Sequence, residues 1–185
     1  MADAMLELFR TRRVVRVMTD EPVAREDLER ILDAGRWAPT GGNTRSVRFV
    51  AVEERATLRL LRMVSPGMLQ RPAAAIILCL DRDVLEAEGV SPTDPTPDYD
   101  IGTTLQTMLL AAHALGLGGG PVSSCSWAAV AEVLHLPASL EPRMIVCLGH
   151  AAPSSQQMPM RATKVTWRDL THWERFEATE GAVRG

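Results

Sequence analysis

Asp100–Ser124, DIGTTLQTMLLAAHALGLGGGPVSS, decides how the rest of the chain must be arranged. From Ile101 to Ala131 there is no Asp, Glu, Lys or Arg, although 23% of the protein is charged. Ile101, Leu105, Met108, Leu109 and Ala112 recur at helical spacing, while Gly102, Thr103, Thr104, Thr107 and Ala111 keep the other faces small. The stretch reads as a buried helix that neighbours can approach from more than one side. Asp100 is its expected N-cap. Gly116 and Gly118 to Gly120 are expected to form the turn that stops it, since glycine tolerates the left-handed or strained backbone of a C-cap or a close ligand contact. Thr side chains, Gln106 and His113 interrupt the run and no basic flank follows, which argues against a membrane span of about 20 apolar residues. On local grounds the glycine turn reads equally as a ligand-binding loop or as a plain helix end.

The rest of the composition narrows the class. With 185 residues and no Pro/Gly/Ser-rich linker, residues 1–185 read as one domain with a real core. Apolar residues make up 46% but aromatics only 4%, so that core must be built from Leu, Val, Ala and Met. A net charge of −3 gives no reason to expect nucleic acid. Three cysteines at unrelated spacings form neither a disulfide framework nor a zinc site, and no metal is expected. Cys79 and Cys147 lie in apolar, strand-like runs, whereas Cys125 follows the glycine turn, where a redox role stays open. The N-terminal MADAMLELFRTRR lacks the apolar core of a secretory signal, so a cytoplasmic location is expected.

Along the chain, Asp3 can cap a short helix through Phe9, and Arg12–Met18 reads as extended. A helix from Ala24 carries Leu28, Ile31 and Leu32 on one face and ends before Pro39. After the loop Thr40–Ser46 come a strand at Val47–Val52, an amphipathic helix at Arg55–Val64, and the run Ala73–Leu80, which reads as a central strand buried on both faces. The acidic, proline-rich stretch 82–99 reads as a loop with at most one helical turn, either a lid or a solvated connection. Ser126 can cap a helix to Leu136, and Arg143–Gly149 reads as a further strand. The polar tail carries Arg161, Trp167, Trp173 and Phe176, a pattern suited to docking on a second subunit, with packing back on its own domain as the alternative.

Taken in order, these pieces resemble the FMN-dependent nitroreductase family. The residues that carry the resemblance are Arg12-Arg13-Val14-Val15-Arg16, Trp37-Ala38-Pro39-Thr40-Gly41-Gly42-Asn43, the segment Leu109 to Gly118, Val133-Leu134-His135-Leu136-Pro137 and Leu148-Gly149-His150. The resemblance implies an α+β fold with a mainly antiparallel central sheet flanked by helices. It also implies a homodimer with flavin sites at its interface and a C-terminal arm exchanged between subunits. FMN is the implied cofactor, NAD(P)H the co-substrate and a small electron-poor molecule the acceptor.

The resemblance assigns Arg12, Arg13 and Arg161 to the FMN phosphate, for which planar guanidinium donors are suited. It puts Arg16 near N1 and O2 of the isoalloxazine, where a fixed cation stabilises the reduced ring. The turn Pro121-Val122-Ser123-Ser124 supplies a backbone N–H near N5, from Ser123 or Ser124. Pro39, Thr40, Gly41 and Asn43 reach the cofactor from the partner subunit. No catalytic side-chain acid or base is implied, because the flavin carries the chemistry.

This sequence departs from the family pattern at Val14, where serine is usual, and at Arg45-Ser46-Val47, where Gln-Pro-Trp often follows Asn43. The second departure bears on substrate choice more than on flavin binding. It leaves room for a specialised flavin-dependent dehydrogenase or oxidase of secondary metabolism. Val14 leaves room for a flavin-binding carrier or sensor without turnover. The short 82–99 segment implies an open, shallow pocket.

Overall fold

The computed structural model describes residues 2–153 and 165–176. Its elements run α1 (Ala2–Thr11), α2 (Arg25–Arg36), a 3-10 turn (Gly41–Asn43), β1 (Val47–Val52), α3 (Arg55–Met63), β2 (Ala74–Asp81), α4 (Arg82–Ala87), α5 (Thr96–Ala114), β3 (Gly118–Val122), α6 (Trp127–Val133), β4 (Leu140–Gly149) and a 3-10 turn (Trp167–Leu170). The four strands form one sheet in the order β1-β2-β4-β3, and every pairing between them is antiparallel. This is the α+β architecture expected.

The run AAIILCLD of β2 is buried along nearly its whole length because the sheet is covered on both sides. Successive strand residues point to opposite faces. Ile76, Leu78 and Leu80 therefore pack with Val146 and Leu148 against Leu28 and Ile31 of α2 and Met108, Leu109 and Ala112 of α5. Ala75, Ile77 and Cys79 pack with Ile145 and Cys147 against Leu58 and Leu61 of α3 and Val130 of α6. A register shift after Leu78 coincides with Pro142 of β4 opposite Cys79, where a residue without an N–H interrupts the ladder least. The helices α2 and α5 approach closely at Gly35, whose Cβ would lie 2.3 Å from Cε of Met108.

Three sequence expectations are corrected. Asp100 is not the N-cap of α5. The helix begins at Thr96 after Pro95, with Pro97 in its first turn, where no N–H is needed. Residues 82–99 are not a long loop, because α4 occupies Arg82–Ala87, capped by Asp81 Oδ1 accepting from Val84 N at 3.2 Å. Gly89, at φ +72°, then turns the chain into the short approach to α5. Finally, the glycines do not act together. Gly116, at φ +76°, ends the helix, whereas Gly118–Gly120 form most of the edge strand β3.

Crowding explains why that strand is glycine. A Cβ on Gly118 would lie 2.8 Å from Cβ of Val15, one on Gly119 would lie 2.6 Å from Cδ2 of Leu109, and one on Gly120 would lie 2.4 Å from Nε2 of Gln70. The N-terminal segment, α5 and Gln70 all close on β3 at distances that side chains there would prevent. Val14 forms a parallel bridge with Gly119, and Val15 N donates to Gly119 O at 3.0 Å. The otherwise open sheet edge is thereby covered.

Candidate functional site

The arginine segment Arg12–Arg16 is laid along β3 by those contacts, and its start is tied to the end of α5. The Thr11 hydroxyl donates to Glu7 O at 2.8 Å, so its lone pair accepts from Nε2 of His113 at 2.9 Å. Arg12 is half-buried, and its Nη1 is buried with no hydrogen-bond partner among the described residues. Arg13 differs, since its Nη1 donates to the backbone oxygens of Arg10 and Arg12. Arg16 is exposed.

Gln70 belongs to the same place and was not visible to sequence reasoning. It is only 3% exposed. Its Nε2 donates to Val15 O at 3.4 Å, while its Oε1 is buried and unpartnered among the described residues. The signal that would have found it is a lone amide before the strand-opening Pro72, too common a pattern to stand out. A buried guanidinium nitrogen and a buried carboxamide oxygen, both without partners beside one backbone segment, are costly unless a ligand satisfies them.

Beyond β3 the chain is held firmly. Gly67 N donates to Ser124 O at 2.9 Å and Ser126 N to Val64 O at 2.9 Å. A Cβ on Gly67 would lie 2.7 Å from Cβ of Ser124. Pro121 is half-buried and Ser123 and Ser124 are exposed. Val122 is 3% exposed and packs into the α3/α6 side of the core, so it can present only its main chain to a ligand. Arg12, Arg13, Arg16, Pro121, Val122, Ser123 and Ser124 are thus grouped along one sheet edge. Arg161 lies outside the described residues.

The loop Pro39–Asn43 docks elsewhere, on the first half of α5. Asp100 Oδ1 accepts from Gly41 N at 2.9 Å, and the Thr103 hydroxyl donates to Pro39 O at 3.1 Å. Asp100 is 5% exposed, and burial raises its carboxyl pKa while the Gly41 N–H opposes that rise. Gly42 (φ +59°), Asn43 (φ +57°) and Arg45 (φ +52°) turn the loop tightly, and Arg45 Nε donates to Asn43 Oδ1 at 3.3 Å. A cavity of about 530 Å³ opens here, with Trp37, Thr40, Asn43, Arg45 and Thr104 among its walls. Asp100 and His113, the anchors of the two groups, are roughly 20 Å apart along the helix axis. One subunit therefore holds Thr40, Gly41 and Asn43 at one end of α5 and the arginine pair at the other.

The sequence profile of the Nitroreductase family matches residues 9–89 and 74–150. The chain belongs to the nitroreductase family. A protein of Archaeoglobus fulgidus, provisionally named an NADH dehydrogenase/NAD(P)H nitroreductase, is 30% identical over an alignment of 151 residues that covers 78% of this chain and 84% of that protein. The crystal structure of a nitroreductase family protein from Clostridium difficile superimposes with a TM-score of 0.79 at 29% identity, covering 92% of this chain and 98% of that one. A structure from Desulfovibrio desulfuricans, solved in complex with FMN, gives a TM-score of 0.76 at 28% identity over 94% of this chain and 98% of that one. The nitroreductase fold found here is the one the sequence implied.

Proposed function

We propose that this nitroreductase is an NAD(P)H-dependent FMN oxidoreductase that reduces a small electron-poor acceptor such as a nitroaromatic, quinone or enone. The observation that carries the reading is Nη1 of Arg12, buried and without a partner among the described residues, beside the glycine-walled strand β3. The donor set fits a phosphorylated ring compound. Arg12 and Arg13, with Arg161, would hold the phosphate through charge-assisted bonds. Gln70 offers an acceptor that an N–H of the ring system could fill. Held there, FMN would supply the hydride chemistry that couples NAD(P)H oxidation to reduction of the acceptor.

The chain's own part is orientation and charge. Arg16 places a cation where negative charge develops, and the main chain at Ser123 or Ser124 offers an N–H donor for the reacting edge of the ring. The rigid tie of Ser124 to Gly67 fixes that donor before any ligand arrives. No acid or base side chain is assigned a proton.

A homodimer completes the site. The face of α5 around Gly102, where a Cβ would meet nothing within 4 Å, is open to a second copy. Packing two α5 helices antiparallel brings the Pro39–Asn43 loop of one subunit towards the arginine end of the other. The exposed Trp167, Leu170, Trp173 and Phe176 suit an arm that crosses to the partner. Residues 1–185 act as a single domain in this reading. Among the described residues no helix is long and apolar enough to cross a membrane.

The test is spectroscopic. The purified protein, supplied with FMN, should retain the yellow flavin and lose its visible absorbance when NADH or NADPH is added without oxygen, then regain it with a quinone. Failure to hold flavin would overturn the proposal. Flavin that stays oxidised with both nicotinamides would rule out the NAD(P)H step and favour the specialised dehydrogenase.

A further inference from the structure

A second cavity, of about 260 Å³, shares no residue with the flavin site proposed above. It lies at the end of the sheet where β1 finishes and β2 begins. Arg55, Arg59 and Arg62, spaced i, i+4 and i+7 on α3, form one wall, and Arg71 enters from the residue before Pro72. Thr19 and Asp20 close the other side, with Leu58, only 6% exposed, among the apolar lining.

The charges here are unbalanced. Four arginines face two carboxylates, Asp20 and Glu53, and Glu53 is already ion-paired to Arg25 outside the cavity. Arg55 Nη2 donates to the backbone oxygen of Asp20 at 3.4 Å. The guanidinium groups of Arg59, Arg62 and Arg71 make no hydrogen bond or ion pair among the described residues. Like charges at helical i, i+3 and i, i+4 spacing oppose helix formation, yet α3 carries three of them on one face of a chain whose net charge is −3. Several arginines elsewhere do find carboxylates, as Arg48 does with Asp81 and Arg143 with Glu141. The cavity falls below the roughly 300–1,000 Å³ of sites for drug-sized molecules, so its natural occupant is compact and highly charged.

We propose that this cavity is a separate anion site that takes a phosphomonoester or diphosphate group, held by Arg59, Arg62 and Arg71. Guanidinium forks pair bidentately with phosphate oxygens, and three of them from two elements define a direction as well as a charge. The phosphate can come from two sources, a phosphate of the NADPH co-substrate or a free phosphorylated small molecule. The site itself does not depend on the flavin reading.

Isothermal titration of the flavin-loaded protein with inorganic pyrophosphate and with adenosine 2′,5′-bisphosphate tests it, at low and at physiological salt. The expected result is saturable binding that Arg59→Gln/Arg62→Gln weakens by about tenfold or more, with the flavin spectrum unchanged. Arg71→Gln, on a different element, should weaken it in the same sense. Tighter binding of the bisphosphate, with a raised KM for NADPH but not NADH in these variants, assigns the phosphate to the dinucleotide. Equal or tighter binding of pyrophosphate, with both KM values unchanged, assigns it to a free ligand. The proposal is overturned if neither probe binds, if the variants bind as well as the parent, or if a glutamate-rich peptide binds as tightly as pyrophosphate.

Discussion

Oδ1 of Asp100 accepts the amide hydrogen of Gly41 at 2.9 Å, joining positions 59 apart in sequence. This bond, with Thr103 on Pro39 O, fixes the glycine loop to α5. Replacing Asp100 with Ala leaves a part-buried N–H without its acceptor and should cost about 1–3 kcal/mol. Asp100→Asn keeps an acceptor oxygen but removes the titration. Because burial raises the folded carboxyl pKa, the folded state binds the proton more tightly than the unfolded chain. The wild type therefore loses stability as pH rises from about 4, the unfolded value, through the folded one. Thermal melts between acidic and neutral pH should show Asp100→Asn gaining on wild type over that window; a difference that does not vary with pH would contradict this account.

Arg12 and Arg13 are adjacent but differently committed. Arg13 spends Nη1 on backbone oxygens, whereas Nη1 of Arg12 is buried with no partner among the described residues. Arg12→Ala should therefore reduce FMN affinity more than Arg13→Ala does, by about tenfold or more for one lost charge-assisted bond. Fluorescence titration of apoprotein with FMN measures both. Equal losses would show that the two arginines serve the phosphate alike.

Two glycines should answer alanine in opposite ways. At Gly118 a Cβ would sit 2.8–2.9 Å from Cβ, Cγ1 and Cγ2 of Val15, and a β-branched valine cannot rotate away. Overpacking of about 1–3 kcal/mol is expected, with displacement of the arginine segment and loss of flavin. At Gly102 nothing lies within 4 Å, so alanine should raise helix stability by about 0.5–1 kcal/mol. If that face of α5 meets a second copy, the same substitution weakens the dimer, which sedimentation across a concentration series would reveal. An unaltered dimer would place the interface elsewhere.

The layered fold was legible because its signals are local and strong. The apolar run of β2, the charge-free stretch of α5 from Ile101 onward and the amphipathic spacing of α2 and α3 each have one physical solution. What misled was composition without context. Pro95 and Pro97 look like loop residues, yet they open α5, where the first turn needs no donors. Gly118–Gly120 look like a turn, yet they form a strand because Val15, Leu109 and Gln70 leave no room for side chains. That crowding comes from segments as distant as Val15 and Gln70, and no local pattern announces it. The motifs predicted the arginine segment and the Pro39–Asn43 loop as contributors to one site. They did not show that the two are anchored at opposite ends of one helix. Gln70 was invisible for a related reason, since its burial depends on the N-terminal segment crossing β3.

The three free cysteines should separate cleanly in a thiol assay. Burial lifts the Cys79 thiol to about 11 and the Cys147 thiol to about 12, so almost no thiolate exists at either near neutral pH. Cys125 is half-buried, and its pKa is also raised by desolvation. Its Sγ lies 3.9 Å from Ser123 O, on the loop proposed to face the flavin. Ellman's reagent should modify a single thiol in the folded protein, slowly and faster as pH rises, and all three after denaturation. Saturating FMN should slow the native reaction if the Ser123–Cys125 loop borders the bound ring. Labelling of Cys125 that FMN leaves unchanged, in protein shown to be flavin-loaded, would move the ring away from this loop and leave Arg12 and Gln70 to define the site.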